Sequence, residues 1–98
     1  MKIKQIRDLI KAKKYSISKH ALVEAFADGF ALDDILEAID RGEIIEEYRD
    51  RNRCLIYAKL GKGPIHVVVD YSTKGYLWIV TVYKPNPTEW MDGRARRR

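Results

Sequence analysis

Gly42 divides the chain. Before it, apolar residues recur at intervals of three and four; after it, they recur at alternate positions. A helix returns a side chain to the same face after about 3.6 residues and a strand after two, so a helical part precedes an extended part. Ile3, Ile6, Leu9 and Ile10 predict a first helix over 2–13, with Lys and Arg on its other side. Tyr15-Ser16-Ile17-Ser18 alternates and predicts a short strand at 15–18. Ser18 suits the cap of a helix from Lys19 to Asp28, with Leu22, Ala25 and Phe26 buried and Gly29 as its left-handed stop. Asp33 or Asp34 starts a third helix, with Ile35, Leu36 and Ile39 inward and Gly42 as its end.

Beyond Gly42, Glu43–Arg49, Arg53–Leu60, Ile65–Tyr71 and Tyr76–Tyr83 predict four strands. The links at 50–52, 61–64 and 72–75 carry Asn or Gly and are short enough only for antiparallel neighbours. The expected fold class is α+β: N-terminal helices on one face of an antiparallel four-stranded meander, with a short extra strand at 15–18. Pro85 and Pro87 end the last strand because they have no N–H for the ladder. Trp90 and Met91 are expected to fold back as an apolar latch.

At 98 residues, 46% of them hydrophobic, the chain suits one domain over 1–93. A single Cys excludes an internal disulfide framework and a Cys-rich zinc site. No apolar run reaches the ~18 residues of a membrane span, and the N-terminus shows no signal-peptide core, so a cytoplasmic protein without membrane contact is expected. The net charge of +5 is uneven: 1–14 hold six basic residues against Asp8, and 94–98 hold four Arg and no acid. The body between them is acidic, so an overall pI of 9.4 overstates the case for a nucleic-acid surface. The tail at 94–98 has no apolar anchor and is expected to be disordered or ordered only by a partner.

Two histidines are the candidates for proton transfer. His20 follows Ser18 in the first turn of a helix, with Glu24 four residues on. A carboxylate there orients an imidazole and raises its pKa while the helix N-terminus lowers it, which suits a general acid or base near neutral pH. A ring that merely caps the strand-to-helix junction suits the position equally, and the residues leave both roles open. His66 shares a strand side with Val68 and Asp70, and the next strand brings Thr81 or Tyr83 near it in some registers, where a sheet histidine merely satisfied by a cross-strand hydroxyl is the alternative to a catalytic one. By alternation Thr81 and Tyr83 share the side of Leu77 and Ile79. The spacing of His20, Glu24, His66 and Asp70 matches no closed metal motif, so no metal is expected. Gly61 and Gly63 precede a strand and make no phosphate loop, and Cys54 alternates with apolar neighbours as a core residue.

The stretches Tyr15–Ala21, Gly42–Tyr48, Cys54–Ile56, Ile65–Val68 and Ile79–Pro87 fall in an order that, with Trp90 and the Arg-rich end, resembles the small bacterial family known as domain of unknown function 4258. The likeness runs from about Ile3 to Arg98. That family is similar in fold to RelE-like toxins, the endoribonucleases of toxin–antitoxin pairs. The resemblance implies a metal-independent ribonuclease needing no cofactor, acting on RNA with or without the ribosome, beside an antitoxin with an N-terminal zinc-binding motif. In such a reaction a base takes the 2′-hydroxyl proton, an acid protonates the leaving 5′-oxygen and cations stabilise the phosphorane. Carried over by motif, His20, His66, Thr81 and Tyr83 match recurrent positions, with Glu24 beside His20. Arg49, Arg51, Arg53, Arg94, Arg96, Arg97 and Arg98 are the phosphate-contact candidates. One departure stands out: members of the family it resembles often carry Arg-x-x-x-Arg-Gly where this chain has Glu24, Asp28 and Gly29, and carboxylates there repel a phosphate backbone. A non-enzymatic protein-binding module on the same fold, or a small nucleic-acid-binding regulator, remains open beside the ribonuclease.

Overall fold

The computed structural model describes residues 1–97; Arg98, one of the phosphate candidates, lies outside them. Helix α1 (Ile3–Lys11) buries Ile6 and packs Ile3, Leu9 and Ile10 against the core. Strand β1 (Tyr15–Ile17) leads into α2 (Lys19–Ala27), whose first turn is capped by Ser18 Oγ accepting from Ala21 N–H. Gly29 follows at φ +84. Helix α3 (Leu32–Arg41) starts one residue before the expected aspartates. Asp34 still contributes, its carboxylate accepting from Ala31 N–H at 2.7 Å.

The extended part forms β2 (Glu43–Tyr48), β3 (Arg53–Leu60), β4 (Gly63–Asp70) and β5 (Leu77–Tyr83), with a single 3-10 turn at Arg49–Arg51. They make the expected antiparallel meander. Strand β1 adds to β5 in parallel, giving a five-stranded sheet in the order β1-β5-β4-β3-β2. The three helices cover one face, where Ile56, Ile65, Val67, Val69, Leu77 and Ile79 meet Ile6, Ile35 and Ile39. Cys54 is in this core, and burial pushes its thiol up to about 12, so it is an inert apolar residue. At Gly42 the constraint is steric. An added Cβ would lie 2.4 Å from Ala38 O and 2.5 Å from Tyr57 O, so only glycine lets the end of α3 run directly into β2.

Three local expectations change. The stripe of α2 is Ala21 and Ala25, with Leu22 partly buried and Phe26 60% exposed. The helix is turned by about one position because Glu24 and Asp28 reach the sheet edge, as described below. Simple alternation also fails in β5. Val68 opposes Thr81 while Val69 opposes Ile79, so Val80 is an extra residue. This bulge reverses the parity, leaving Leu77 and Ile79 under the helices while Thr81 and Tyr83 share the helix-free face with His66. Finally, the described part of the tail is ordered. Strands β6 (Trp90–Met91) and β7 (Ala95–Arg96) form a small hairpin, or strap, with Trp90 buried and Met91 exposed. Charge supplies the anchor that apolar content did not: Arg94 and Arg96 pair with Glu43 and Glu46 of β2. Among the described residues no helix is long and apolar enough to cross a membrane.

Candidate functional site

The helix-free face presents its side chains in cross-strand rows. Tyr57, His66 and Tyr83 form one row; Leu55, Val68 and Thr81 the next; Arg53, Asp70 and Trp78 the third. His66 is fully buried, although it lies on the face without helices, because the strap covers it. Its ring meets Trp90 edge-on at 4.4 Å between centroids, and Tyr83 and Tyr57 at 5.1 and 6.1 Å. His66 Nε2 bonds the carbonyl of Gly93, and Nδ1 lies 3.1 Å from Tyr83 Oη. A carbonyl only accepts, so Nε2 carries the proton. Burial pushes the His66 pKa down and keeps the ring neutral, leaving Nδ1 as an acceptor for the Tyr83 hydroxyl. Burial likewise raises the Tyr83 pKa, so the phenol holds its proton.

The strap reaches His66 only because residue 93 is glycine. Its φ is +74, and an added Cβ would lie 2.9 Å from Tyr57 Cε1. Around this centre the arginines are held by carboxylates. Arg53 donates to Asp70 at 2.8 Å, and Asp70 also accepts from Ser72 N–H and Oγ–H. Burial alone would raise the Asp70 pKa, but these bonds outweigh it and hold it below the usual carboxylate range. Arg96 donates twice to Glu46, which also accepts from Tyr48 Oη–H, and packs over the Trp90 ring at 4.6 Å. Arg49 pairs with Glu47 on the exposed 3-10 turn beside Arg51.

His66, Thr81, Tyr83, Arg53, Arg94 and Arg96 therefore come together on one face. His20 and Glu24 do not join them. His20 Nε2 lies 3.1 Å from Glu24 Oε1 with the imidazole 70% exposed, and among the described residues no hydrogen bond connects this pair to His66. Glu24 has a second partner in Val82 N–H at 3.4 Å, and Asp28 accepts from Lys84 N–H at 2.8 Å. Strand β1 ends at Ile17, so the edge of β5 beyond Ile79 has no strand beside it. Four helical residues advance about 6 Å and two strand residues about 6.7 Å, so carboxylates at i and i+4 match N–H groups at i and i+2. The two acids close a bare sheet edge, a role that arginine cannot take.

Sequence reasoning missed Tyr57, Lys59 and Gly93 as parts of this face, and it expected Trp90 as a latch without placing it over His66. For Tyr57 and Lys59 a signal existed, since they share the alternation side of Arg53. Among the described residues no group of three or more His, Cys, Asp or Glu side chains is placed to hold a metal ion. The family model described as Domain of unknown function (DUF4258) matches residues 17–84, well over half of the chain. The chain belongs to the DUF4258 family. The matched segment runs from the end of β1 to the residue after β5, so it contains His20, His66 and Tyr83 while the strap lies outside it. No curated protein matches the chain.

Proposed function

We propose that this DUF4258 domain is a RelE-like endoribonuclease toxin that lays RNA across the helix-free face of its sheet. One observation carries the reading: the Tyr83–His66–Gly93 hydrogen-bond chain lies on the same face as Thr81 and the guanidiniums of Arg53 and Arg96. The chain suits proton relay. As the 2′-oxygen attacks phosphorus, its proton passes to Tyr83 Oη while the phenolic proton passes to His66 Nδ1. The Gly93 carbonyl, bonded to Nε2–H, opposes the burial that keeps the resting ring neutral and so steadies a transient imidazolium. Arg53, Arg96 and Arg51 offset charge on the phosphorane, without a metal. The P–O5′ bond breaks as solvent water protonates the leaving 5′-oxygen, giving a 2′,3′-cyclic phosphate and a 5′-hydroxyl, and the imidazolium then returns its proton through Tyr83 to the hydroxide left behind. In this reading His20 and Glu24 serve the sheet edge, and the partner is a zinc-binding antitoxin.

The test is RNA cleavage with and without ribosomes. Tyr83→Phe keeps the ring and removes the relay, and a loss of about 10²-fold or more is expected with little change in melting temperature. His20→Gln should retain activity. A wild type that cuts no RNA under either condition, or a fully active Tyr83→Phe, overturns the proposal. A protein-binding module is the second reading, favoured by Val23 and Phe26, which are 58% and 60% exposed side by side on α2.

A further inference from the structure

A groove beside the candidate site is not used by that chemistry. It runs between the β3–β4 hairpin and the strap and encloses about 410 Å³, within the size range of small-molecule sites. Its apolar surface comes from Tyr57, Pro64 and Pro85, and its rim carries Lys59, Arg94 and Arg97 against a single carboxylate, Asp92. The cations differ in availability. Arg94 is paired with Glu43 and lies 6.0 Å over the Tyr57 ring. Arg97 donates Nε–H to the Pro87 carbonyl, and among the described residues its terminal nitrogens have no carboxylate partner. Lys59 is exposed and has no carboxylate partner among the described residues.

Flat rings and prolines beside unspent positive charge fit a ligand with a planar apolar part and an anionic part in close succession. An unpaired nucleotide has both. A duplex hides its base faces, so only a single strand offers the ring. The groove is also continuous with the relay, because Tyr57 touches both: its ring meets His66 edge-on and it lines the groove. We propose that this groove is a nucleotide subsite, taking one unpaired base of single-stranded RNA against Tyr57 and the prolines and its phosphate between Lys59 and Arg97. The inference rests on the RNA reading above and adds the substrate class: single-stranded RNA, with one nucleotide next to the cut held outside the relay.

The test is fluorescence anisotropy on the full chain, with an end-labelled eight-nucleotide RNA methylated at every 2′-oxygen so that it binds uncut. The single strand should bind more tightly than its duplex. Lys59→Gln, on the surface, should weaken binding several-fold and lower the salt slope by about 0.7, the contribution of one single-strand phosphate. Tyr57→Leu, shown by thermal unfolding to be folded, should weaken it about tenfold or more through lost stacking. If Arg53→Gln weakens binding while Tyr57→Leu and Lys59→Gln leave it unchanged, the subsite is wrong and the RNA reading stands. Equal binding of duplex and single strand also overturns the subsite. If the wild type binds no RNA, both readings fail. A fluorescent acidic peptide containing Phe, bound at this groove and not displaced by the RNA, overturns the subsite in favour of a protein ligand.

Discussion

Replacing His66 by Phe isolates what the buried imidazole contributes. Phe keeps a flat ring between Trp90, Tyr83 and Tyr57, so the edge contacts at 4.4, 5.1 and 6.1 Å largely survive. The two hydrogen bonds do not. Gly93 is buried, so its carbonyl loses its donor away from water, which costs about 1–3 kcal/mol. Tyr83 is only part-buried and its hydroxyl can turn to solvent, which adds roughly 0.5 kcal/mol. The sum, about 1.5–3.5 kcal/mol, is large against the roughly 5–15 kcal/mol of a typical domain. For a chain of this length it lowers Tm by roughly 6–28 °C if the strap unfolds with the rest. If the strap opens on its own, the loss appears first as local exposure of Trp90. The assay is thermal unfolding followed by Trp emission in a Trp78→Phe background, where buried Trp90 is the sole reporter. A fall of less than about 3 °C with unchanged Trp90 emission would refute the argument that His66 pins the strap.

The same bonds give a pH dependence: burial holds the folded pKa of His66 below the ordinary 6.5, so its contribution is complete above 6.5 and is lost as pH falls toward the folded value. Trp90 emission in the Trp78→Phe background should shift red from about pH 6.5 downward, and His66→Phe should remove that phase. Asp28→Ala uncovers the N–H of Lys84 on the β5 edge and should cost about 1 kcal/mol in urea unfolding, with faster aggregation measured by light scattering. Gly42→Ala drives a methyl into two backbone carbonyls and should lower stability by about 2 kcal/mol or more in the same titration, whereas Gly61→Ala, with nothing within 4 Å, should not.

Most elements were legible because each carries its own local cause. Ser18 caps α2, Gly29 turns left-handed after it, and the alternation from Glu43 onward marks the strands. The parts that were not legible depend on partners distant in sequence. The bulge at Val80 follows from pairing with β4, and it moves Thr81 and Tyr83 to the opposite face from the one alternation implies. Register also decides that His66 meets Tyr83, a residue 17 positions away. The strap is held by Arg94–Glu43 and Arg96–Glu46, pairs that span about half the chain and have no periodic signature. Phe26 was misplaced for a similar reason, since the phase of α2 answers to the backbone of β5 through Glu24 and Asp28.

Those carboxylates also change what the basic charge means. A count of arginines on the helix-free face suggests a phosphate-binding surface, yet Arg53, Arg94 and Arg96 each already hold a carboxylate. A phosphate arriving at Arg96 must compete with Glu46, whose pKa burial alone would raise but hydrogen bonds from Arg96 and Tyr48 hold below the usual carboxylate range. The exchange trades one oxyanion for another and leaves Glu46 part-buried without its cation, so its net gain is smaller than that of an unpaired guanidinium. If this face binds RNA, the cations with no carboxylate partner among the described residues, Lys59 on the groove rim and Arg97, should therefore supply more of the affinity per residue than the paired arginines do. The paired arginines retain a different value. Fixed in place by Glu43, Glu46 and Asp70, they present their remaining N–H groups in a set geometry, which in the ribonuclease proposed above would favour a developing phosphorane over a mobile ground-state phosphate.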